Sequence, residues 1–200
     1  MKKTAFALLL TLLIAGGAFA QLDPDADGIG IYFDPCACVN CLDLPVGNNT
    51  GYVVITHPSS DAGVAGWEAT ITNEGPGVMS NWQLQGDATN TAVNSDEFIV
   101  NLGTPLTNAY SYPAVIVAMF NLNVVSVEAP ITFYIDGIED HSILDYDGPA
   151  FVDGNDNTTV KPLQMIQGSA SLPVALVNGN CAGIVARGST TLDNMKALFR

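Results

Sequence analysis

Four cysteines, twenty acids and two histidines are the side chains from which this 200-residue chain could build chemistry. Cys36, Cys38 and Cys41 form a C-x-C-x-x-C run, and Cys181 stands alone near the other end. Four thiolates could hold zinc. In an oxidising compartment, however, an even count reads as two disulfides. A Cys36–Cys38 bridge would close a very small strained ring, so two connectivities stay open: Cys36–Cys41 with Cys38–Cys181, or Cys38–Cys41 with Cys36–Cys181. Either one ties the two ends of the domain, closing a loop of about 140 residues worth roughly 4–5 kcal/mol by chain entropy.

Two groups stand out among the acids. Asp23, Asp25 and Asp27 alternate before Gly28 in a D-x-D-x-D-G pattern, in which carboxylates could converge on calcium while the glycine turns the chain. Asp34 rather than glutamate stands twelfth, and Gly30 replaces the large aliphatic at position eight, which excludes an EF-hand. The simpler reading is an acidic leader into a first strand, Ile29 to Asp34. The second motif joins Asp145 and Asp147 to Asp153, Asn155 and Asp156. Two β-turns are the simpler reading of this group, but its residues also supply hard oxygen ligands, and calcium is the cofactor they would take.

Catalysis has little to work with. His57 precedes Pro58 at the end of a predicted strand, and His141 follows Glu139 and Asp140 in what reads as an exposed turn. Neither G-x-S-x-G nor H-E-x-x-H occurs. A carboxylate pair for glycoside hydrolysis cannot be chosen by sequence position. The chain therefore reads as no enzyme. Tyr110 and Tyr112, in the loop-like NAYSYP, are the aromatic pair placed to stack on a sugar ring.

Charge narrows the partners. The formal net charge is −14, and no Lys or Arg occurs between Lys3 and Lys161. Nucleic acid and anionic membrane need clustered cations and are excluded. Residues 1–20 read as a bacterial secretory signal: Lys2 and Lys3, an apolar run from Ala5 to Ala18, and Ala18-Phe19-Ala20 before the cut. That run is too short for a membrane span, and none is expected in the mature chain. Cleavage leaves 200 − 20 = 180 residues with charge 4 − 20 = −16.

Residues 21–188 must supply the scaffold, and their periodicity is that of strands. Trp67, Ala69 and Ile71 alternate with Glu68, Thr70 and Thr72, which gives one face to the core and one to solvent. Comparable runs cover 52–57, 78–85, 97–102, 114–125, 131–135, 150–152, 160–166, 172–177 and 182–185. Both tryptophans, Trp67 and Trp82, are expected in the core. Turn clusters separate the runs, so the fold class is all-β: a single antiparallel β-sandwich of about nine strands. Residues 189–200 break the pattern. Thr191 can cap a helix whose Leu192, Met195, Leu198 and Phe199 share a face, and a segment so short must dock on the sandwich, bind a partner or stay frayed.

The stretches YVVITHPSSDAGVAGWEATI, EFIVNLGTPL, AVIVAMFNL, ITFYI and GPAFVDGND resemble, in order and spacing, a cohesin-type or related carbohydrate-binding β-sandwich of jelly-roll kind. The chain is also similar to exported bacterial proteins that share the GIYFD start, the GWE segment and a K-x-L-[FY]-R terminus. The resemblance implies an extracellular role without a reaction. The expectation is thus a secreted, non-catalytic domain, periplasmic or at the cell surface, which binds an extracellular protein or glycan. The alternatives are a carbohydrate-binding module and a secreted glycoside hydrolase.

Overall fold

A computed structural model describes residues 25–107, 113–181 and 184. Thirteen strands follow one another: β1 (Gly28–Tyr32), β2 (Cys41–Leu42), β3 (Gly47–Thr56), β4 (Val64–Glu74), β5 (Gly77–Leu84), β6 (Thr89–Asn90), β7 (Glu97–Leu106), β8 (Ala114–Val124), β9 (Ile131–Asp136), β10 (Ala150–Asp153), β11 (Asp156–Pro162), β12 (Gln164–Met165) and β13 (Ala175–Val177). They make two sheets. One has five strands in the order β12-β1-β3-β8-β5, and the other runs β11-β10-β4-β9-β13-β2, with β7 on the remaining edge of β4 and β6 beyond it.

This is the expected all-β sandwich. The strands beyond the expected nine or so are mostly two- or three-residue pairings that periodicity cannot detect, such as β2, β6 and β12. Pairing is antiparallel except where β1 meets β12 and β2 meets β13. The run expected over 160–166 divides at Leu163, because β11 belongs to one sheet and β12 to the other. The run at 172–177 shortens to β13. The secretory segment 1–20 and the helix at 189–200 lie outside the described residues, and the strand at 182–185 is described only at Ile184.

The core lies between the sheets. Val53, Ile55, Phe120 and Leu122 come from the five-stranded sheet and meet Trp67, Ile71, Phe133 and Ile135 of the other. Phe120 sits at the centre, 1% exposed, with ring centroids 4.7 Å from Trp82 and 6.3 Å from Phe133. Gly51, opposite Phe120 in the β3–β8 register, leaves room for that ring: a Cβ there would stand 2.2 Å from Phe120 Cζ. Trp67 is buried and stacks on Phe98 at 5.2 Å, while Trp82 is half-buried. Among the described residues no helix is long and apolar enough to cross a membrane.

Candidate functional site

The two sheets differ most in charge. None of β1, β3, β5, β8 and β12 contains an Asp, Glu, Lys or Arg. Strand alternation places every second residue of β3, β8 and β5 on the outer face, and the register lines them up in rows. Asn48 lies beside Asn123, which lies beside Val78; Thr50 beside Asn121 beside Ser80. A third row runs Tyr32, Tyr52, Met119, Gln83. Two irregularities keep the rows in phase: an extra residue in β8 at Val117, and one in β5 where Asn81 takes φ 50°. Asn48, Thr50, Asn123, Val78 and Gln83 are exposed. A neutral surface of amides, hydroxyls and apolar side chains thus lies on a strongly acidic protein.

The other sheet carries the strand acids, and several are committed to holding the fold. Glu68 on β4 is 5% exposed; its carboxylate accepts from the Ser142 N–H at 3.0 Å and from the Ser142 hydroxyl, which fastens the 137–149 loop over the sheet. Asp153 on β10 is 8% exposed and forms an ion pair with Lys161 at 2.7 Å. Lys161 is the one Lys or Arg among the described residues. Its hydrogen bond, together with those from the Ser60 hydroxyl and the Asn155 N–H, holds the Asp153 carboxyl well below the usual carboxylate range. The spacing of the acids gave no sign of these partners, although a chain so poor in cations leaves few candidates for any buried carboxylate.

The acidic motifs separate in space. Asp153 and Asp156 close the tight β10–β11 hairpin, where Asp156 accepts from the Thr158 N–H and from the hydroxyls of Thr158 and Thr159. Those bonds lower its pKa. Asn155 donates to Ser60 and to Asp153. Asp145 and Asp147 sit in the 137–149 loop, both exposed, and Asp147 lines a cleft of about 430 Å³ with Asp136 and Tyr146. Tyr146 donates to the Leu163 carbonyl at 2.6 Å, and burial, then Asp147 and Asp136, push its hydroxyl pKa up. Asp27 accepts from the Ser59 N–H at 2.6 Å, and its own N–H bonds to the His57 carbonyl, which ties the leader to the β3–β4 turn. Asp23, Tyr110 and Tyr112 lie outside the described residues. His141 is half-buried rather than exposed, because it lies close against Gly137.

The cysteines pair differently from either expected connectivity. Cys41 is bonded to Cys181, with Cα atoms 5.7 Å apart, while Cys36 and Cys38 are thiols. The end-to-end staple is present, across 140 residues, but its first partner is the residue in β2. Register explains the choice. Cys41 lies opposite Leu176, and the Asn178 N–H bonds to the Leu42 carbonyl, so Cys41 is held against the segment leading to Cys181.

Cys36 and Cys38 instead fall in the turn after β1, around Asp34. The Asp34 Oδ1 accepts from the N–H groups of Cys38 at 3.0 Å and Val39 at 2.7 Å, and Oδ2 accepts from the Cys36 thiol at 2.5 Å. The Cys38 thiol donates to the Cys36 carbonyl at 3.3 Å. Hydrogen bonding to Asp34 is the largest of the effects that push the Cys36 thiol up to about 12. One oxygen or sulfur from each of Asp34, Cys36 and Cys38 lies mutually within 4.8 Å. Among the described residues, no three of the calcium-candidate carboxylates form such a group.

No family model and no curated protein matches the chain. Among solved structures, it is similar to the sixth cohesin of scaffoldin B from Acetivibrio cellulolyticus, determined in complex with a Cel5 dockerin. The TM-score is 0.46 and the identity 16%, over 78% of this chain and 100% of the other. The likeness is one of fold.

Proposed function

We propose that this chain is an exported, non-catalytic β-sandwich that binds a protein partner through the outer face of its five-stranded sheet. The observation that carries the reading is the charge-free face built from β3, β8 and β5 in a chain of net charge −14. Interface centres are depleted of charge and enriched in aromatic residues and methionine. Tyr52 and Met119 stand side by side in such a setting. Association through any acidic surface would have to overcome the protein's own field, whereas this face desolvates without stripping a charge. The Cys41–Cys181 bridge supports residence in an oxidising compartment.

The test is site-specific photo-crosslinking to secreted and envelope proteins of the parent cell. A crosslinker at Asn123 should yield a discrete adduct that excess unlabelled chain suppresses. The same group at Thr72, exposed on the other sheet, should not. Equal yields from both positions, or none from Asn123, would sink the proposal, and saturable binding on a glycan panel would replace the protein partner by a carbohydrate. A calcium role rests with Asp145 and Asp147, whose carboxylates face solvent, since Asp153 and Asp156 already have partners. Thermal unfolding in EDTA and then in millimolar calcium tests it, and a rise matched by magnesium would mean screening alone.

A further inference from the structure

The turn after β1 brings together two sulfurs and a carboxylate, and no other three acids, histidines or cysteines among the described residues converge as closely. We infer that Asp34, Cys36 and Cys38 form a site for one thiophilic divalent cation, zinc being the ion whose chemistry fits. Mixed sulfur and oxygen donors of this kind suit zinc and not calcium, which takes oxygen alone. In a tetrahedral zinc site, bonds of about 2.0–2.3 Å put neighbouring donor atoms roughly 3.3–3.8 Å apart. The three donors already lie mutually within 4.8 Å, so side-chain adjustment suffices to close them on an ion.

The turn is built before any ion arrives. Ala37, fully buried at φ 54°, anchors it against Tyr32 and Tyr52, and the Phe33 N–H bonds to the Val39 carbonyl at 2.8 Å. Asp34 Oδ1 is held by two backbone N–H groups, which orients Oδ2 toward Cys36 Sγ as an outer shell orients a ligand. Cys36 and Cys38 are both half-buried, so an ion can enter from solvent. On binding, the ion takes the place of the two thiol protons, which pass to water, and three protein donors leave a fourth position for water or a partner's side chain. The Cys41–Cys181 bridge leaves these two thiols without a disulfide partner elsewhere among the described residues.

The experiment uses the full exported chain, purified without chelator from zinc-supplied cells. One zinc per chain is expected, with Cys36 and Cys38 slow to alkylate until chelator is added. After chelation, cobalt(II) should produce a thiolate-to-metal charge-transfer band that one equivalent of zinc abolishes. Cys36→Ser and Cys38→Ser should each weaken affinity by more than the roughly 10–100-fold typical of an outer-shell change. Their thermal midpoints without metal should stay close to that of the parent chain, because neither sulfur is a core atom. A Cys36–Cys38 disulfide in the exported chain would overturn the inference. So would the absence of a charge-transfer band, or zinc retained at full stoichiometry by the double serine variant, which would assign it to the acidic surface.

Discussion

The five-stranded and eight-stranded sheets share one core and face opposite demands. On the first, β3 and β8 supply Asn48, Thr50, Asn121 and Asn123, polar groups that hydrogen-bond without carrying charge. On the second, Glu68 and Asp153 are buried polar anchors, while Glu74 and Asp136 face solvent. The inner faces are alike because both must fill the same apolar interior. The outer faces differ in how they hold the segments that cross them: Glu68 fastens the 137–149 loop by hydrogen bonds to Ser142, while Tyr32 and Tyr52 hold Ala37 by apolar packing. Around Tyr32, Val54 and Ala114 the outer face of the five-stranded sheet packs with Ala37 and Ile166 and must be apolar, so the feature that packing does not require is the absence of charge from its exposed part, at Asn48, Thr50, Val78, Gln83 and Asn123.

Four changes sharpen or break that contrast. The largest effect belongs to the shared core, where Phe120→Ala should cost about 3–5 kcal/mol and unfold both sheets together. Denaturant melts followed at Trp67 and Trp82 would check it, and two separate transitions would show that the sheets do not form one unit. Next comes the staple on the β2–β13 edge. Cys181→Ser should cost about 2–5 kcal/mol by calorimetry. A loss well under that range would mean the edge is held by its strand pairing alone.

Lys161→Met removes the partner of Asp153, and the loss should be about 1–3 kcal/mol, since the pair is only partly screened from water. This stability carries a pH signature. The folded-state pKa of Asp153 is depressed, so its contribution is complete above the ordinary carboxylate pKa near 4 and fades as pH falls below it. Acid melts of parent and variant should therefore converge at low pH, and a constant gap down to pH 2 would refute the assignment. The smallest effect on stability is the most informative about function. Asn123→Asp should change stability by no more than about 0.5 kcal/mol. It should weaken partner capture about tenfold or more, because a charge must then be desolvated in the interface. Glu74→Gln on the opposite sheet should do neither.

Much of this fold was legible in advance because strand alternation leaves a direct record in the chain. Trp67, Ala69 and Ile71 face the core as their period-two pattern implied. Trp82 is half-buried rather than enclosed, because β5 is an edge strand. The site was less legible. Asp34 read as the last residue of the first strand, yet it gathers Cys36 and Cys38 through a turn set by Ala37 at positive φ, a conformation that alanine does not advertise. The five-stranded sheet was equally hidden, since β3, β8 and β5 are separated in the chain by strands of the other sheet.

Composition and local pattern determined that the chain is acidic, that it alternates as strands, and that its ends could be joined by a disulfide, because each of these depends on residue type and near neighbours. Which cysteine meets Cys181, which acid meets Lys161, and which face stays free of charge were decided only when register brought distant segments together. Hydrogen-bond ladders align residues scores of positions apart, and no local preference encodes that alignment.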